Sequence, residues 1–415
     1  MSAHPSTPPR VGVLGDGQLA RMMSPAATHL GLELHLLAAS PAASAAQVIA
    51  RTTIGDYRNV KDVLAFAARL DVVTFDHEHV PAEVLNALAE AGITMQPTPQ
   101  ALVYAQDKLA MRGVVDDCGL PNPRWRHVHA LQELTSFGDS AGWPVVLKTP
   151  RGGYDGKGVM IIDDAAAADA TEVADWFSRA AESGTGLLAE QKVPFTRELS
   201  AQVARSASGE VAAYPVVEST QTNGVCDEVI APAPHTSQAH LAEAERIART
   251  IAETLGVTGM LAVELFEIAE DDAHRGTPAG IYVNELAMRP HNSGHWSMDG
   301  CVTSQFEQHL RAVLNLPLGA TAVTGGAGGY AVMKNLLGGS NQNLHAAVPE
   351  AMRRSADCKI HLYGKEPTPG RKIGHVNVLS HTNRPDDTDD AEARLQAARD
   401  AAAEAAAIMV EGSAQ

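Results

Sequence analysis

The chain is predicted to be a multidomain protein, α/β at its start and α+β afterwards, on three observations. Its 415 residues exceed what a single hydrophobic core usually holds. Near the N-terminus, short apolar runs alternate with alanine-rich helical segments, as in a parallel sheet. From about Pro121 short strands follow one another closely, which favours antiparallel pieces.

The N-terminal sheet is predicted from apolar runs at 11–14, 32–37 and 72–75. A turn, Gly15-Asp16-Gly17, follows the first run and fits a dinucleotide-binding pattern, although such a match is weak alone. That pattern also requires a carboxylate after the second strand, where this chain has Leu37-Ala38-Ala39-Ser40. NAD binding is therefore disfavoured, and the turn serves another ligand or is simply a tight turn.

The segment Pro121-Asn122-Pro123 is interpreted as a domain boundary. Strands are predicted beyond it at 145–147, 159–162, 186–190, 199–204 and 211–217, and a helix at 306–313. Two further strands, near 330–334 and 359–363, and an alanine-rich helix at 389–408 complete the chain. We expect three domains, at 1–120, 121–315 and 316–415.

Composition and charge limit the class of ligand. A hydrophobic content of 45% with 20% charged residues is ordinary for a globular protein. The net charge of −17 disfavours nucleic acid and anionic membranes as partners, but it leaves room for a small anion in a local basic pocket.

The cysteines and the N-terminus predict the compartment. Cys118, Cys226, Cys301 and Cys358 are widely spaced and lack a metal-binding pattern, so free thiols in a reducing compartment are expected. The sequence has neither an apolar signal core nor a transmembrane run. We therefore expect a cytoplasmic protein.

A glycine-rich loop follows the strand that ends at Lys148. Its glycines could let backbone N–H groups approach phosphate oxygens, with Lys148 and Lys157 supplying positive charge. It is not a Walker A motif, because Gly158 stands where Ser or Thr should follow the lysine. The alternative is a glycine-rich hairpin with exposed lysines.

Two acidic residues are predicted to meet in a hairpin formed by 260–267 and 280–285. Glu264 lies in an apolar run, where an unpaired carboxylate is costly. If Glu264 lies close to Glu285, the pair suits Mg²⁺, which prefers oxygen ligands. A salt-bridged core glutamate is the alternative, and the nearby Asn284 and Arg289 make it less favoured.

Polar residues are concentrated in the segment 283–296. Arg289 could neutralise developing negative charge, while Asn292 and Ser293 could orient a polar substrate. A functional role is favoured for His291, as an acid/base or a binding group, and a structural role for His295. Near the C-terminus, Lys365, Arg371 and Lys372 lie in turns and form either a solvated surface or a phosphate pocket.

Together these segments resemble the ATP-grasp superfamily and, within it, the 5-(carboxyamino)imidazole ribonucleotide synthases of purine biosynthesis. The resemblance covers nearly the whole chain. Its carriers are 12–19, 74–80, 152–158, 190–193 with Glu198, 284–296, 304–307, 363–365 and 370–372. The glycine loop signals only the superfamily, whereas 289–295 together with the C-terminal basic motif is much more specific.

The resemblance implies an ATP-grasp fold with an N-terminal Rossmann-like domain and a small C-terminal β-rich domain. It implies a ligase, often a homodimer, that uses ATP, Mg²⁺ and bicarbonate. The expected reaction carboxylates the exocyclic amine of aminoimidazole ribonucleotide through carboxyphosphate.

The resemblance also assigns site residues. Gln221 stands where the family often has histidine, and Lys108 stands where arginine is common. The ATP site would comprise Lys108, Lys148, Gly153, Tyr154, Asp155, Gly156, Lys157, Gly158, Val159, Glu190, Gln191, Lys192, Val193, Glu198, Gln221, Asn284 and Glu285. The substrate would meet Gln18, Leu19, Glu78, Tyr154, Asp155, Arg289, His291, Asn292, Ser293, Lys365, Arg371 and Lys372, and Mg²⁺ would meet Glu264 and Glu285. Arg289, His291 and Lys157 would be catalytic.

Other functions remain open at the level of sequence. A formate-dependent glycinamide ribonucleotide transformylase or a biotin carboxylase would share the fold with another acceptor. A nucleotide-binding regulator or NAD-dependent protein without ligase activity belongs to a different class. Acceptor-stimulated ADP release would separate these possibilities.

Overall fold

The N-terminal part forms a parallel sheet, as predicted. The structure is a computed structural model, and it describes residues 7–153, 158–273, 277–324, 328–380 and 390–412. The four strands lie in the order β3-β2-β1-β4, all parallel. The elements are β1 (Arg10–Leu14), α1 (Gln18–His29), β2 (Glu33–Ala38), β3 (Arg51–Ile54), α2 (Val60–Ala67), β4 (Val72–Phe75), α3 (Ala82–Glu90), α4 (Pro99–Gln106) and α5 (Lys108–Asp117).

A second sheet of four antiparallel strands follows, in the order β5-β8-β6-β7. Apolar residues of its helices, among them Phe137 and Phe177, pack against one of its faces. The elements are β5 (Trp125–Val128), α6 (Leu131–Ala141), β6 (Val145–Lys148), β7 (Val159–Ile162), α7 (Ala165–Ala168), α8 (Thr171–Ser183) and β8 (Leu187–Gln191).

In the part of the chain that the structure describes, the largest sheet has nine strands, and the C-terminal strands belong to it. Its order is β14-β13-β9-β11-β12-β15-β17-β16, with β10 paired to β9. Its first elements are β9 (Arg197–Arg205), β10 (Val211–Ala213), β11 (Val217–Thr222), β12 (Val225–Ala231), α9 (Gln238–Thr254), β13 (Gly259–Ile268) and β14 (Gly280–Ala287). These are followed by α10 (Ser297–Gly300), α11 (Gln305–Val313), β15 (Tyr330–Leu337), α12 (Leu344–Arg354), β16 (Lys359–Leu362), β17 (Lys372–Ser380) and α13 (Ala391–Glu411). Short 3₁₀ turns span Glu270–Asp272 and Asn292–Gly294.

Two details differ from the sequence prediction. The strand predicted over 211–217 is two strands, β10 and β11, because Pro215 between them has no N–H to donate to a ladder. The strands β3, β5, β12 and β17 were not predicted. For β3 the reason is that its Arg51-Thr52-Thr53-Ile54 sequence is short and polar. Among the described residues, no helix is long and apolar enough to span a membrane.

Candidate active site

One large cavity lies where the three sheets meet. Its volume is about 1180 Å³, and it is lined by residues of the two antiparallel-rich sheets and of the segments that follow β1 and β4 of the parallel sheet. Most of the predicted site residues are in its wall: Gln18, Leu19, Glu78, Lys108, Lys148, Gly153, Val159, Glu190, Gln191, Lys192, Val193, Glu198, Gln221, Glu264, Asn284, Glu285, Arg289, His291, Asn292, Lys365, Arg371 and Lys372.

The remaining predicted site residues do not line the cavity wall or cannot be placed. Gly158 adjoins the wall residue Val159, and its N-terminal neighbours Tyr154, Asp155, Gly156 and Lys157 lie outside the described residues. Ser293 is buried beneath His291. Its predicted contact with substrate would therefore be made through His291.

On one side of the cavity, a buried glutamate is neutralised by two cations of the chain. Glu190 receives the Arg112 guanidinium at 2.7 Å and the Lys148 ammonium at 2.7 Å. Burial alone would raise its pKa, but the two cations lower it to about 2. Glu190 is therefore ionised and held rigidly beside the ends of β6 and β8.

Arg112 connects this cluster to the strand that carries Glu285. Its guanidinium, fully buried, also donates to the carbonyl oxygens of Val283 (2.6 Å) and Asn284 (3.0 Å) and to the Asn122 side chain (2.8 Å). The residue thus joins the four-stranded antiparallel sheet to β14, across one wall of the cavity. The sequence reading did not find it.

The two predicted metal ligands face each other in the β13–β14 hairpin. Glu264 is the direct cross-strand partner of Glu285, which confirms the predicted pairing. Burial, with Glu285 and Glu198 nearby, raises the pKa of Glu264 to about 8. Burial also raises the pKa of Glu198 to about 7. A carboxyl group that lies beside two other acids is a suitable environment for a divalent cation.

The carboxylates would form part of a shared coordination shell. The described residues contain no cluster of three or more His, Cys, Asp or Glu side chains arranged to hold a metal. Two carboxylates suit Mg²⁺, which usually completes its coordination with water and substrate phosphates. Lys108 contacts Glu285 at 2.7 Å, so a cation already balances that carboxylate in part.

The His291 imidazole is oriented from both sides. The Ser293 N–H can only donate, so the Nδ1 atom that it contacts at 3.4 Å accepts, and the ring proton lies on Nε2. Nε2 points to Glu264 at 3.3 Å. Burial, followed by the charges of Arg289 and Lys372, lowers the pKa of His291 to about 3. The ring is therefore a neutral hydrogen-bonding group.

Arg289 is held by an acidic residue of the N-terminal domain, in the loop after β4. Its Nε lies 2.8 Å from Glu78, which belongs to the run that follows β4. His295, further along the same segment, is completely buried, and its Nδ1 forms a hydrogen bond with the Gln305 side chain at 2.8 Å. This placement agrees with the structural role predicted for His295.

The glycine turn after β1 is already engaged within the chain. The Asp76 carboxylate accepts hydrogen bonds from the N–H groups of Gly17 and Ala20, at the start of α1. It therefore occupies the position that a bound pyrophosphate takes in dinucleotide-binding proteins. The Gln18 side chain remains directed into the cavity, where Lys365 contacts it.

The C-terminal basic turn is anchored to the first domain. Ser44 donates to the Tyr363 carbonyl at 2.6 Å, and Gln47 donates to the Gly364 carbonyl at 2.8 Å. These bonds bring Lys365 to the cavity wall, with Arg371 and Lys372 from the start of β17. The fold therefore brings the C-terminal basic residues to the same cavity wall as the start of α1, from which they are far apart in sequence.

Several wall residues were missed from the sequence, notably Asp76, His77, Arg151, Phe195 and Phe266. The two phenylalanines stack with ring centroids 4.6 Å apart. The run 74–80 carried a usable signal, since it concentrates two acids and two histidines directly after a buried strand. Phe266 carried none, because an aromatic residue in a strand is usually core, and Phe195 lies in the connection between β8 and β9.

Models of three protein families match the chain in succession. They are a ribonucleotide synthetase preATP-grasp domain (9–106), an ATP-grasp domain (113–306) and a phosphoribosylaminoimidazole carboxylase C-terminal domain (331–386). The N5-carboxyaminoimidazole ribonucleotide synthase of Corynebacterium ammoniagenes is 47% identical over 397 residues, 95% of this chain and 92% of that protein. The chain belongs to the N5-carboxyaminoimidazole ribonucleotide synthase family.

Further relatives agree with this assignment. The synthase of Mycobacterium tuberculosis is 44% identical over 89% of this chain and 83% of its own length. A crystal structure of an N5-carboxyaminoimidazole ribonucleotide synthetase with ADP has a TM-score of 0.81 and 34% identity, over 95% of this chain and 97% of that one. The Aspergillus clavatus enzyme with ADP and 5-aminoimidazole ribonucleotide has a TM-score of 0.79 and 31% identity, over 96% and 99%.

Membership of this synthase family confirms the predicted fold class and enzyme class. The chain is an ATP-grasp ligase that carries out ATP-dependent carboxylation of aminoimidazole ribonucleotide in purine biosynthesis. The transformylase, biotin carboxylase and non-catalytic alternatives lose support accordingly.

Proposed function

We propose that this synthase uses bicarbonate and Mg²⁺ with ATP, forms carboxyphosphate, and transfers its carboxyl group to the ribonucleotide amine. The observation that carries the proposal is the arrangement of charge in one cavity. The acidic pair Glu264 and Glu285 faces it from the hairpin, and Lys365, Arg371 and Lys372 face it from the C-terminal turns. Arg289 and His291 are also in its wall.

The first step joins bicarbonate to phosphate. A bicarbonate oxygen attacks the γ-phosphorus of ATP, the bond to the β-phosphate oxygen breaks, and ADP leaves with its electron pair. Lys108 and Lys148 lie in the cavity wall, where they would attract the phosphates. Bound by Glu264 and Glu285, Mg²⁺ would screen the charge of the transferring phosphoryl group.

The second step forms the C–N bond. The exocyclic amine attacks the carboxyl carbon of carboxyphosphate, the C–O bond to phosphorus breaks, and phosphate leaves with the amine proton. Arg289 would hold the anionic intermediate, and the neutral His291 would orient it through the Nε2 proton. Because its pKa is lowered to about 3, His291 is proposed as a binding group and not as a general acid.

The assembly and the compartment are also proposed. We expect a homodimer, as the family resemblance implies. All four cysteines are free thiols, three of them buried, which supports a reducing compartment such as the cytoplasm.

An ADP-release assay tests the reaction. We expect ADP release that depends on aminoimidazole ribonucleotide, bicarbonate and Mg²⁺ together. Omission of bicarbonate is the control for simple ATP hydrolysis. Release stimulated by glycinamide ribonucleotide with formate, and not by aminoimidazole ribonucleotide, would contradict the proposal.

A further inference from the structure

Helix α11 carries two fully buried glutamines, Gln305 and Gln308, one turn apart. Each pairs with the N–H and the C=O of a residue outside the helix. Gln308 donates to the Gly319 carbonyl at 2.9 Å and accepts from its N–H at 2.8 Å. Gln305 donates to the His291 carbonyl at 2.8 Å and accepts from its N–H at 2.8 Å. The same interaction thus occurs once at the cavity and once away from it.

The backbone of His291 lacks the support of regular secondary structure. Strand β14 ends at Ala287, and the next 3₁₀ turn begins at Asn292. The Gln305 amide supplies the two hydrogen bonds that a neighbouring strand would otherwise provide. The direction of the imidazole toward Glu264 therefore depends on a side chain that does not line the cavity.

The Gln305 amide is itself held tightly. It also donates to Nδ1 of His295 at 2.8 Å, and its backbone N–H donates to Ser297 Oγ at 2.9 Å. Gly294 packs directly against it, since a Cβ there would collide with the Gln305 and Gln202 amides. Because several contacts hold the Gln305 amide in one place, it can fix the position of the His291 peptide.

We infer that Gln305 is a positioning residue for the reaction, holding the His291 peptide so that the imidazole meets the intermediate correctly. The inference rests on the proposed function, which gives His291 its role. Gln308 is the matched control, because it has the same burial, the same helix and the same pair of hydrogen bonds to a different peptide.

The test compares Gln305→Met with Gln308→Met in the full-length protein. Gln308→Met removes the partners of the Gly319 N–H and C=O, and Gln305→Met removes the partner of the His291 N–H, while the His291 carbonyl keeps its bond from the Gly294 N–H at 3.0 Å. Both variants therefore leave at least one peptide group unpaired, and a drop in Tm is expected in each. Gln305→Met should lower kcat for ribonucleotide-stimulated ADP release by about ten- to a hundredfold, the scale of a slightly misplaced group. The Kd for ATP, measured by calorimetry, should stay near the wild-type value. Gln308→Met should keep kcat near the wild-type value.

A second pair of variants, Gln305→Glu and Gln308→Glu, keeps the test possible if a methionine variant fails to fold. Gln305→Glu keeps the acceptor for the His291 N–H but loses the donors to the His291 carbonyl and to His295, so kcat should again fall. Gln308→Glu is its control. The inference is overturned if the Gln305 and Gln308 variants of a pair lose kcat to the same extent for the same drop in Tm. It is also overturned if the Gln305 variants keep the wild-type kcat. If the ribonucleotide does not stimulate ADP release by the wild-type protein, the proposed function is contradicted. The role of Gln305 is then decided by the ratio of variant to wild-type kcat, measured with whichever acceptor does stimulate the wild type.

Discussion

The two acidic clusters of the cavity differ in how their charge is balanced. Glu190 is enclosed by Arg112 and Lys148, and its pKa is lowered to about 2. Glu264 faces Glu285 and Glu198, and its pKa is raised to about 8. Both residues line the same cavity, so burial alone does not explain the difference.

The difference separates a structural role from a binding role. A carboxylate neutralised by cations of its own chain is satisfied in the folded protein and fixes the sheets that it joins. A carboxyl group surrounded by other acids gains most when a cation arrives from solution. We therefore read the Glu190 cluster as framework and the Glu264–Glu285 pair as the place of the metal.

The largest expected effect is on the metal side. Glu285→Gln should reduce ATP turnover by about a hundredfold or more, because several kcal/mol of transition-state stabilisation are lost with the cation. The circular dichroism spectrum should not change, since this side chain is 41% exposed. Turnover near the wild-type value at limiting Mg²⁺ would show that the pair is not the metal site.

In the Glu190 cluster, removal of one partner should affect stability. Arg112→Met leaves Glu190 with one cation and takes the donor away from the carbonyl oxygens of Val283 and Asn284 and from the Asn122 side chain. We therefore expect the free energy of unfolding in urea to fall by about 3–5 kcal/mol. Arg246→Met is the control, because its pair with Glu243 is exposed and should contribute about 0–1 kcal/mol. Equal losses in the two variants would argue against a framework role for Arg112.

The sequence predicted one of these clusters much better than the other. Glu264 and Glu285 were found because both lie in strands with a clear hairpin spacing, and pairing is local. Arg112 lies in the helix Lys108-Leu109-Ala110-Met111-Arg112, where a charged residue ordinarily faces solvent. Its partner Glu190 is 78 residues away along the chain, and its other contacts also come from distant segments. Such long-range contacts leave no periodic signal in the sequence.

The same limit applies to Gln305. The 304–307 segment was noticed only through the family resemblance, because a buried amide in a helix cannot be distinguished from an exposed one by its neighbours. The fold was easier to predict, since apolar strand runs and alanine-rich helices are local patterns. Strand β3 was missed where that pattern is absent.

The pH dependence of stability should have opposite signs for the two clusters. In metal-free protein, the raised pKa of Glu264 means that the folded state holds a proton that the unfolded state has lost between about pH 4.5 and 8. Stability should therefore fall by a few kcal/mol as pH rises through this range. Glu264→Gln should reduce this slope and leave the smaller part that the raised pKa of Glu198 contributes. The lowered pKa of Glu190 predicts the reverse, with stability lost as pH falls from about 4.5 to 2.

Urea titrations across this range, with a chelator present, measure both slopes. Added Mg²⁺ should flatten the Glu264 slope, because a bound cation favours the ionised carboxylate. A slope between pH 4.5 and 8 that is as steep in Glu264→Gln as in the wild type would assign the effect to other groups.

The smallest effect is expected at the C-terminal basic cluster. Arg371 is exposed in the cavity wall, and Lys365 and Lys372 line the same wall. Because a guanidinium can make charge-assisted hydrogen bonds to a phosphate, we expect Arg371 to bind the 5′-phosphate of aminoimidazole ribonucleotide. Arg371→Ala should then raise the KM for the ribonucleotide by about tenfold or more, matching a charge-assisted contact of about 1.5–3 kcal/mol. The KM for ATP should barely move, and Arg353→Ala, at an exposed site on α12, should change neither constant. A rise in the KM for ATP with a constant KM for the ribonucleotide would mean that the cluster binds ATP and not the ribonucleotide.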